Sequence, residues 1–277
     1  MPLKLFRSFL DFLTPRTCCA CGHRLSVDED VFCTTCMLQL PFTDFLDHPY
    51  DNEMAQTFWG KIRHFEKAYA LMYHEPHADS AHVVYQIKYF DKPDTGVDIG
   101  TLMGKAMKDS DFLNDIDALL PVPLAKTRER ERGFNQSEMI ALGIRDATGL
   151  PILDDVVKRT TFNGSQTHKD RISRAENVEH AFNLVKGDKL KGKHVLIIDD
   201  VVTTGATICS LAKQLETIEG IRISVAAIGF AGERIYSNHT EEEPVEMRSS
   251  MTTTLEPSGR RPSIWFFVPW SFGFGRT

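Results

Sequence analysis

Residues 194–207 read HVLIIDDVVTTGAT. Val195 to Ile198 is a short apolar run of the kind that forms a strand buried on both faces, and two carboxylates, Asp199 and Asp200, stand at its end. A loop of small and hydroxyl residues follows, Val201, Val202, Thr203, Thr204 and Gly205, and a helix is expected from Ala206. Small residues let backbone N–H groups close around a phosphate, and the start of the next helix adds its partial positive charge. Thr203, Thr204 and Thr207 supply hydroxyl donors, and carboxylates at a strand end accept hydrogen bonds from the vicinal hydroxyls of a ribose. Together these features describe a ribose 5-phosphate cradle. The plainer alternative is an acidic strand end capping a helix with threonines. No GxxxxGK[ST] and no GxGxxG occurs, which excludes a P-loop or a dinucleotide fingerprint.

Outward from this stretch, strand-like and helix-like segments alternate. AYALMYH (68–74), ALLPVPL (118–124) and RISVAAIGF (222–230) read as strands. Residues 78–89, 97–108, 136–148 and 206–218 carry helical spacing. This alternation predicts an α/β domain over 68–232 built on a mostly parallel sheet, with ligands at the carboxyl ends of the strands. Residues 41–67 carry Pro41 and Pro49 and no sustained period, and read as a linker with some helix. Residues 233–277 pass through Glu241 to Glu243, a Ser/Thr stretch and an aromatic end, SIWFFVPWSFGFG. They read as a disordered tail.

Five of the six cysteines lie in 18–36. Cys18 and Cys21 form one CxxC and Cys33 and Cys36 another, the pattern of a structural tetrahedral Zn²⁺ site, with free or redox-active thiols as the alternative. Cys19 can replace Cys18 or sit beside it, and Gly22 suits a knuckle backbone of positive φ. A module over residues 1–40, a short N-terminal helix followed by a four-cysteine, zinc-ribbon-like unit, is therefore expected in front of the α/β domain. Cys209 falls on the apolar face of a helix and reads as packing.

The 277 residues are 42% hydrophobic and 25% charged, which excludes wholesale disorder, collagen and coiled coil. The 32 basic and 38 acidic residues give a net charge of −6, which argues against a generally basic nucleic-acid binder. No run of about 18 apolar residues is present, and Lys4, Arg7 and Asp11 interrupt any secretory signal, so a soluble cytoplasmic protein is expected.

DDVVTTGAT resembles the phosphoribosyl pyrophosphate motif of type I phosphoribosyltransferases. A second string, PVPLAKTRERERGFNQSEMIA (121–141), and a third, KRTTFNGSQTHKDRISRAENVEHAF (158–182), are similar to the ComF family in particular, whose layout the cysteine module completes. That family is associated with DNA uptake in naturally competent bacteria. The resemblance implies a type I phosphoribosyltransferase-like fold and a transferase that binds phosphoribosyl pyrophosphate with Mg²⁺, its acceptor not established. A phosphoribosyl pyrophosphate sensor that contacts DNA or a protein of the competence machinery is the alternative.

In the second string Lys126, Arg128, Arg130 and Arg132 are placed to neutralise a pyrophosphate leaving group. Glu129 and Glu131 interleave with them, so a solvated turn with internal ion pairs is the competing reading. Gly133 to Gln136 offers Asn and Gln dipoles beside the loop. The third string is implied to be a lid that brings Gln166, Lys169, Arg171 and Arg174 onto the pyrophosphate, hinged near Arg159 and Asn177. No residue stands out as a general base, and the acceptor pocket is expected somewhere in 70–100.

Overall fold

A computed structural model describes residues 16–76, 78–89, 93–160 and 181–232. The expected N-terminal helix, the lid string from residue 161 to 180 and the tail from residue 233 onward lie outside the described residues. The described helices and strands, in chain order, are α1 (Thr34–Gln39), α2 (Glu53–Phe58), β1 (Phe65–Tyr73), α3 (Asp79–Tyr89), α4 (Pro93–Asp109), β2 (Ala118–Pro121), α5 (Lys126–Arg132), α6 (Gln136–Thr148), β3 (Val157–Arg159), β4 (Phe182–Leu184), β5 (His194–Val202), α7 (Ala206–Leu215) and β6 (Arg222–Phe230).

Four strands form one sheet in the order β1-β6-β5-β2, and all three pairings are parallel. Leu196 pairs with Ser224 and Ile197 with Val225, and Val195 to Ile198 are fully buried, as strands covered on both faces must be. The α/β architecture read from the alternation is present, with the four carboxyl strand ends along one edge. Two short elements escape the alternation: β3 and β4 pair antiparallel through three residues each, Val157 opposite Leu184 and Arg159 opposite Phe182.

The opposite edge is locked by charge. Lys67, 1% exposed, donates to the Phe112 carbonyl at 2.8 Å and pairs with Asp115. Asp115 also meets Arg222 at 3.0 Å and His194 Nδ1 at 3.2 Å. A buried lysine without such partners would be strongly destabilising. Ser224 joins the same layer through His194 Nε2 at 2.8 Å.

The stretch 41–67 contributes to the core. Phe45, Met54, Phe58 and Ile62 are buried, Asn52 caps α2 by accepting from Ala55 N at 2.9 Å, and Thr43 N donates to the Leu71 carbonyl. Phe42 bridges to Met72 of β1 and stacks edge-on against Phe32 of the cysteine module, ring centroids 5.9 Å apart. Cys18, Leu25, Phe32 and Leu40 thereby join the same apolar cluster as the sheet. Among the described residues, no helix is long and apolar enough to cross a membrane.

Candidate functional site

Asp199 and Asp200 sit near the carboxyl end of β5, where side chains become half-buried, and Val201 and Val202, expected in the loop, instead continue the strand because they pair with Gly229 and Phe230 of β6. The chain then turns through exposed Thr203 and Thr204 to Gly205, which has φ +72° and precedes α7. A Cβ at Gly205 would stand 2.7 Å from the Phe58 ring and 3.2 Å from Thr57, so α2 packs against the loop in a way that only glycine permits. Asp199, Val201 to Thr207 and Ile208 line a cavity of about 50 Å³. The first string of the sequence is therefore assembled as one concave feature at the strand edge where ligands of open α/β sheets bind.

Two groups that sequence reasoning did not assign to the site complete its electrostatics. Lys88, in the last turn of α3, pairs with Asp200 Oδ2 at 3.0 Å. Ser137, in the first turn of α6, donates its hydroxyl to Asp199 Oδ1 at 3.2 Å. Burial, then the charge of Asp200, pushes the Asp199 carboxyl up to about 7, against the pull of the Asp200 N–H, Ser137 and Lys88. His74 follows β1 and donates its backbone N–H to the Phe230 carbonyl at 2.8 Å. Burial, then the Lys88 charge, holds its ring below the usual imidazole range, and its Nδ1 is buried with no hydrogen-bond partner.

The second string is divided. Arg128, Arg130 and Arg132 all lie on α5, which buries no residue. Burial is the largest influence on Arg159 and lowers it; the Arg128 charge lowers it further, and the Asp199 charge acts in the opposite direction. Arg132 folds back to donate to Gln136 Oε1 at 3.0 Å. Arg130 is exposed, and among the described residues no contact joins it to the carboxylates. Both ends of the Asn135 amide are already engaged: Oδ1 accepts from Ser137 N at 3.2 Å and Nδ2 donates to the Val122 carbonyl at 3.1 Å. A larger cavity of about 610 Å³ opens beside them, between Pro121, Lys126, Asn135 and Glu138 on one side and Lys158, Arg159 and Asn183 on the other. Gln166, Lys169, Arg171, Arg174 and Asn177 lie outside the described residues.

At the front of the chain the Sγ atoms of Cys18, Cys21, Cys33 and Cys36 all lie within 4.8 Å of one another. The Cys21–Cys33 separation is 3.7 Å, close to the ~3.8 Å edge of a tetrahedron with metal–sulfur bonds of about 2.3 Å. Gly22 turns the knuckle with φ +74°. Burial raises Cys18, but the backbone N–H groups of Cys21, Cys33 and Ala20 outweigh it and bring the thiol down to about 7. Burial and the other three thiols push Cys36 up. Crowded thiols that resist collective ionisation are what a dication reverses, so the cluster fits a metal. Cys19 is outside the set, with its N–H on the Val31 carbonyl at 3.0 Å. Cys209 on α7 is half-buried against the core, and its thiol is raised by burial.

The Phosphoribosyl transferase domain family matches residues 115–270, more than half of the chain. Competence protein F of Haemophilus influenzae is 31% identical over 103 residues, 37% of this chain and 45% of that protein. DNA utilization protein YhgH of Salmonella typhimurium is 29% identical over 136 residues, 48% and 59% of the two chains, and Competence protein ComFC of Bacillus subtilis is 31% identical over 118 residues, 43% and 44%. The chain belongs to the phosphoribosyl transferase domain family and, within it, sits with the ComF proteins that these relatives represent. It spans about half the length of the curated relatives it matches.

Proposed function

We propose that this protein binds phosphoribosyl pyrophosphate with Mg²⁺ and transfers the phosphoribosyl group to a nitrogen nucleophile, in a role connected with DNA uptake. The observation that carries the reading is the pair Asp199 and Asp200 near the carboxyl end of a buried strand, which ends two residues later at Val202 and is followed by the small-residue loop Thr203 to Gly205 at the start of α7. The loop and the α7 N-terminus would take the 5-phosphate, and the two carboxylates would accept the ribose hydroxyls. Mg²⁺ would be held mainly by the pyrophosphate and the ribose, since magnesium keeps several waters and needs few protein ligands. In the reaction the bond from C1 to the pyrophosphate oxygen breaks, pyrophosphate leaves with the electron pair, and nitrogen bonds to C1 and releases a proton. Arg128, Arg159 and the cations of the lid string would neutralise the departing charge, so catalysis is positioning and charge neutralisation. The four-cysteine cluster would hold a structural Zn²⁺. The names of the relatives, competence and DNA utilization proteins, support the connection with DNA uptake.

The reading is tested by incubating the full chain with phosphoribosyl pyrophosphate, Mg²⁺ and a panel of bases and amines, and measuring pyrophosphate release. Acceptor-dependent release is the expected result. Binding with no release for any acceptor would make the protein a sensor, and absence of binding would overturn the reading.

A second expectation concerns pH. Asp199 must be ionised to accept hydroxyl donors well, and its carboxyl is raised to about 7. Ligand affinity should therefore fall as pH drops through about 7 and level off above it. The contribution to folding has the opposite sign. A carboxyl raised from 3.8 to about 7 binds its proton more tightly when folded, so this group's contribution to stability declines as pH rises through that interval. Calorimetric titrations across neutral pH check the first statement, and an affinity flat through that range contradicts it.

A further inference from the structure

The segment Gly133–Ser137, GFNQS, is the part of the second string for which the ribose-phosphate reading provides no role. The structure makes it a corner joining three elements. Asn135 pins the start of α6 to the end of β2 through the Val122 carbonyl. Gln136, 2% exposed, receives Arg132 from α5 on Oε1, and its own Nε2 is buried without a partner. Ser137, 5% exposed, reaches β5 and donates to Asp199 Oδ1. The same oxygen accepts the Asp200 backbone N–H at 2.9 Å. Two donors from different elements converge on Oδ1, which fixes the rotation of the carboxyl group, and neither occupies Oδ2.

We propose that Ser137 is a positioning residue for the ribose site: it holds Oδ1 of Asp199 so that Oδ2 is presented, ionised, to a ribose hydroxyl. This deepens the reading given above and rests on it for the identity of the ligand. Among the described residues, the charged groups that act on Asp199 are Asp200 on its own strand, Lys88 from α3 and Arg159 from β3, with Arg128 on α5 acting on Arg159. Asp200 and burial favour the neutral carboxyl, so each donor that favours the charged form matters. The Ser137 hydroxyl is the side-chain donor among them, and it sits in the first turn of a 13-residue helix whose N-terminal partial charge has the same sense.

Ser137→Ala is expected to move the titration of the Asp199 side-chain carboxyl, followed by carbon NMR of the labelled full chain, upward by about one pH unit. It should weaken phosphoribosyl pyrophosphate binding in the presence of Mg²⁺ about tenfold at neutral pH, a loss that shrinks as pH rises. Ser137→Thr keeps the hydroxyl and should restore both. A merely structural serine would lower the melting temperature without moving the carboxyl titration. If the alanine variant does not fold, the near-isosteric Ser137→Cys, a weaker donor, should give a smaller shift in the same direction. An unmoved titration in a folded variant overturns the proposal. A moved titration in a protein that never binds phosphoribosyl pyrophosphate supports the hold of Ser137 on Asp199 and overturns the ligand reading instead.

Discussion

Replacing Asp199 and Asp200 together by asparagine should weaken phosphoribosyl pyrophosphate binding by at least about a hundredfold while the fold persists. Each hydrogen bond to a charged acceptor contributes about 1.5–3 kcal/mol, so two such bonds correspond to roughly a hundredfold to ten-thousandfold in affinity. The lower end is expected, because the carboxylates are adjacent and share the field of Lys88, and neighbouring effects do not add. The fold should tolerate the change for an electrostatic reason. Asp199 is raised by burial and by Asp200, so its charge is one the folded chain holds at a cost, and the amide removes that cost. Asparagine keeps an oxygen for Ser137 to bond. The cost that remains is Lys88, whose side chain is 25% exposed and loses its partner. Calorimetry showing unchanged affinity, in a variant with an unchanged circular dichroism spectrum, would sink the assignment of the site.

The parts of this site that sequence could announce are those confined to one stretch. β5, its carboxylates, the small-residue loop and α7 are contiguous from His194 to Leu215, so their order alone builds the cradle once the strand is recognised as buried. Lys88 is different. It reaches Asp200 from the end of α3, and only the placement of β1 beside β6 at the far side of the sheet brings that helix over the carboxyl edge. No local periodicity encodes a parallel pairing between an N-terminal strand and the last one. Ser137 is closer to legible, since it directly follows GFNQ. The dipoles of that string suggest ligand contacts, yet Asn135 uses both ends of its amide for an N-cap and a backbone carbonyl, and the serine meets the carboxylate. Phe58 belongs to a stretch with no clear period, and its importance appears only in the ring that closes over Gly205. Strands of three residues, such as β3 and β4, are too short for alternation to be counted.

Cys33→Ser combined with Cys36→Ser should release the metal and lower the melting temperature of the whole α/β unit. The spacing of the cysteines pictures a module that detaches while the remainder stays folded, and under that picture the two parts would melt separately. The contacts argue for a shared transition. Phe32 stacks on Phe42, Phe42 bridges to Met72 of β1, Tyr73 N donates to the Pro41 carbonyl at 2.8 Å, and His82 of α3 lies 2.6 Å from the Ala20 carbonyl inside the first knuckle. Loss of the knuckle therefore exposes the edge of β1 and loosens the helix that carries Lys88. Structural zinc contributes about 10–16 kcal/mol of apparent binding energy in small peptides. If about 5 kcal/mol of that reaches the folded unit, the midpoint falls by roughly 10–20 °C for a chain of this size. Metal analysis of protein purified without chelator should find about one zinc per chain in the wild type and none in the variant, and calorimetry should show one transition moved downward. Wild-type protein free of zinc, or a variant melting at the wild-type temperature, would contradict the expectation.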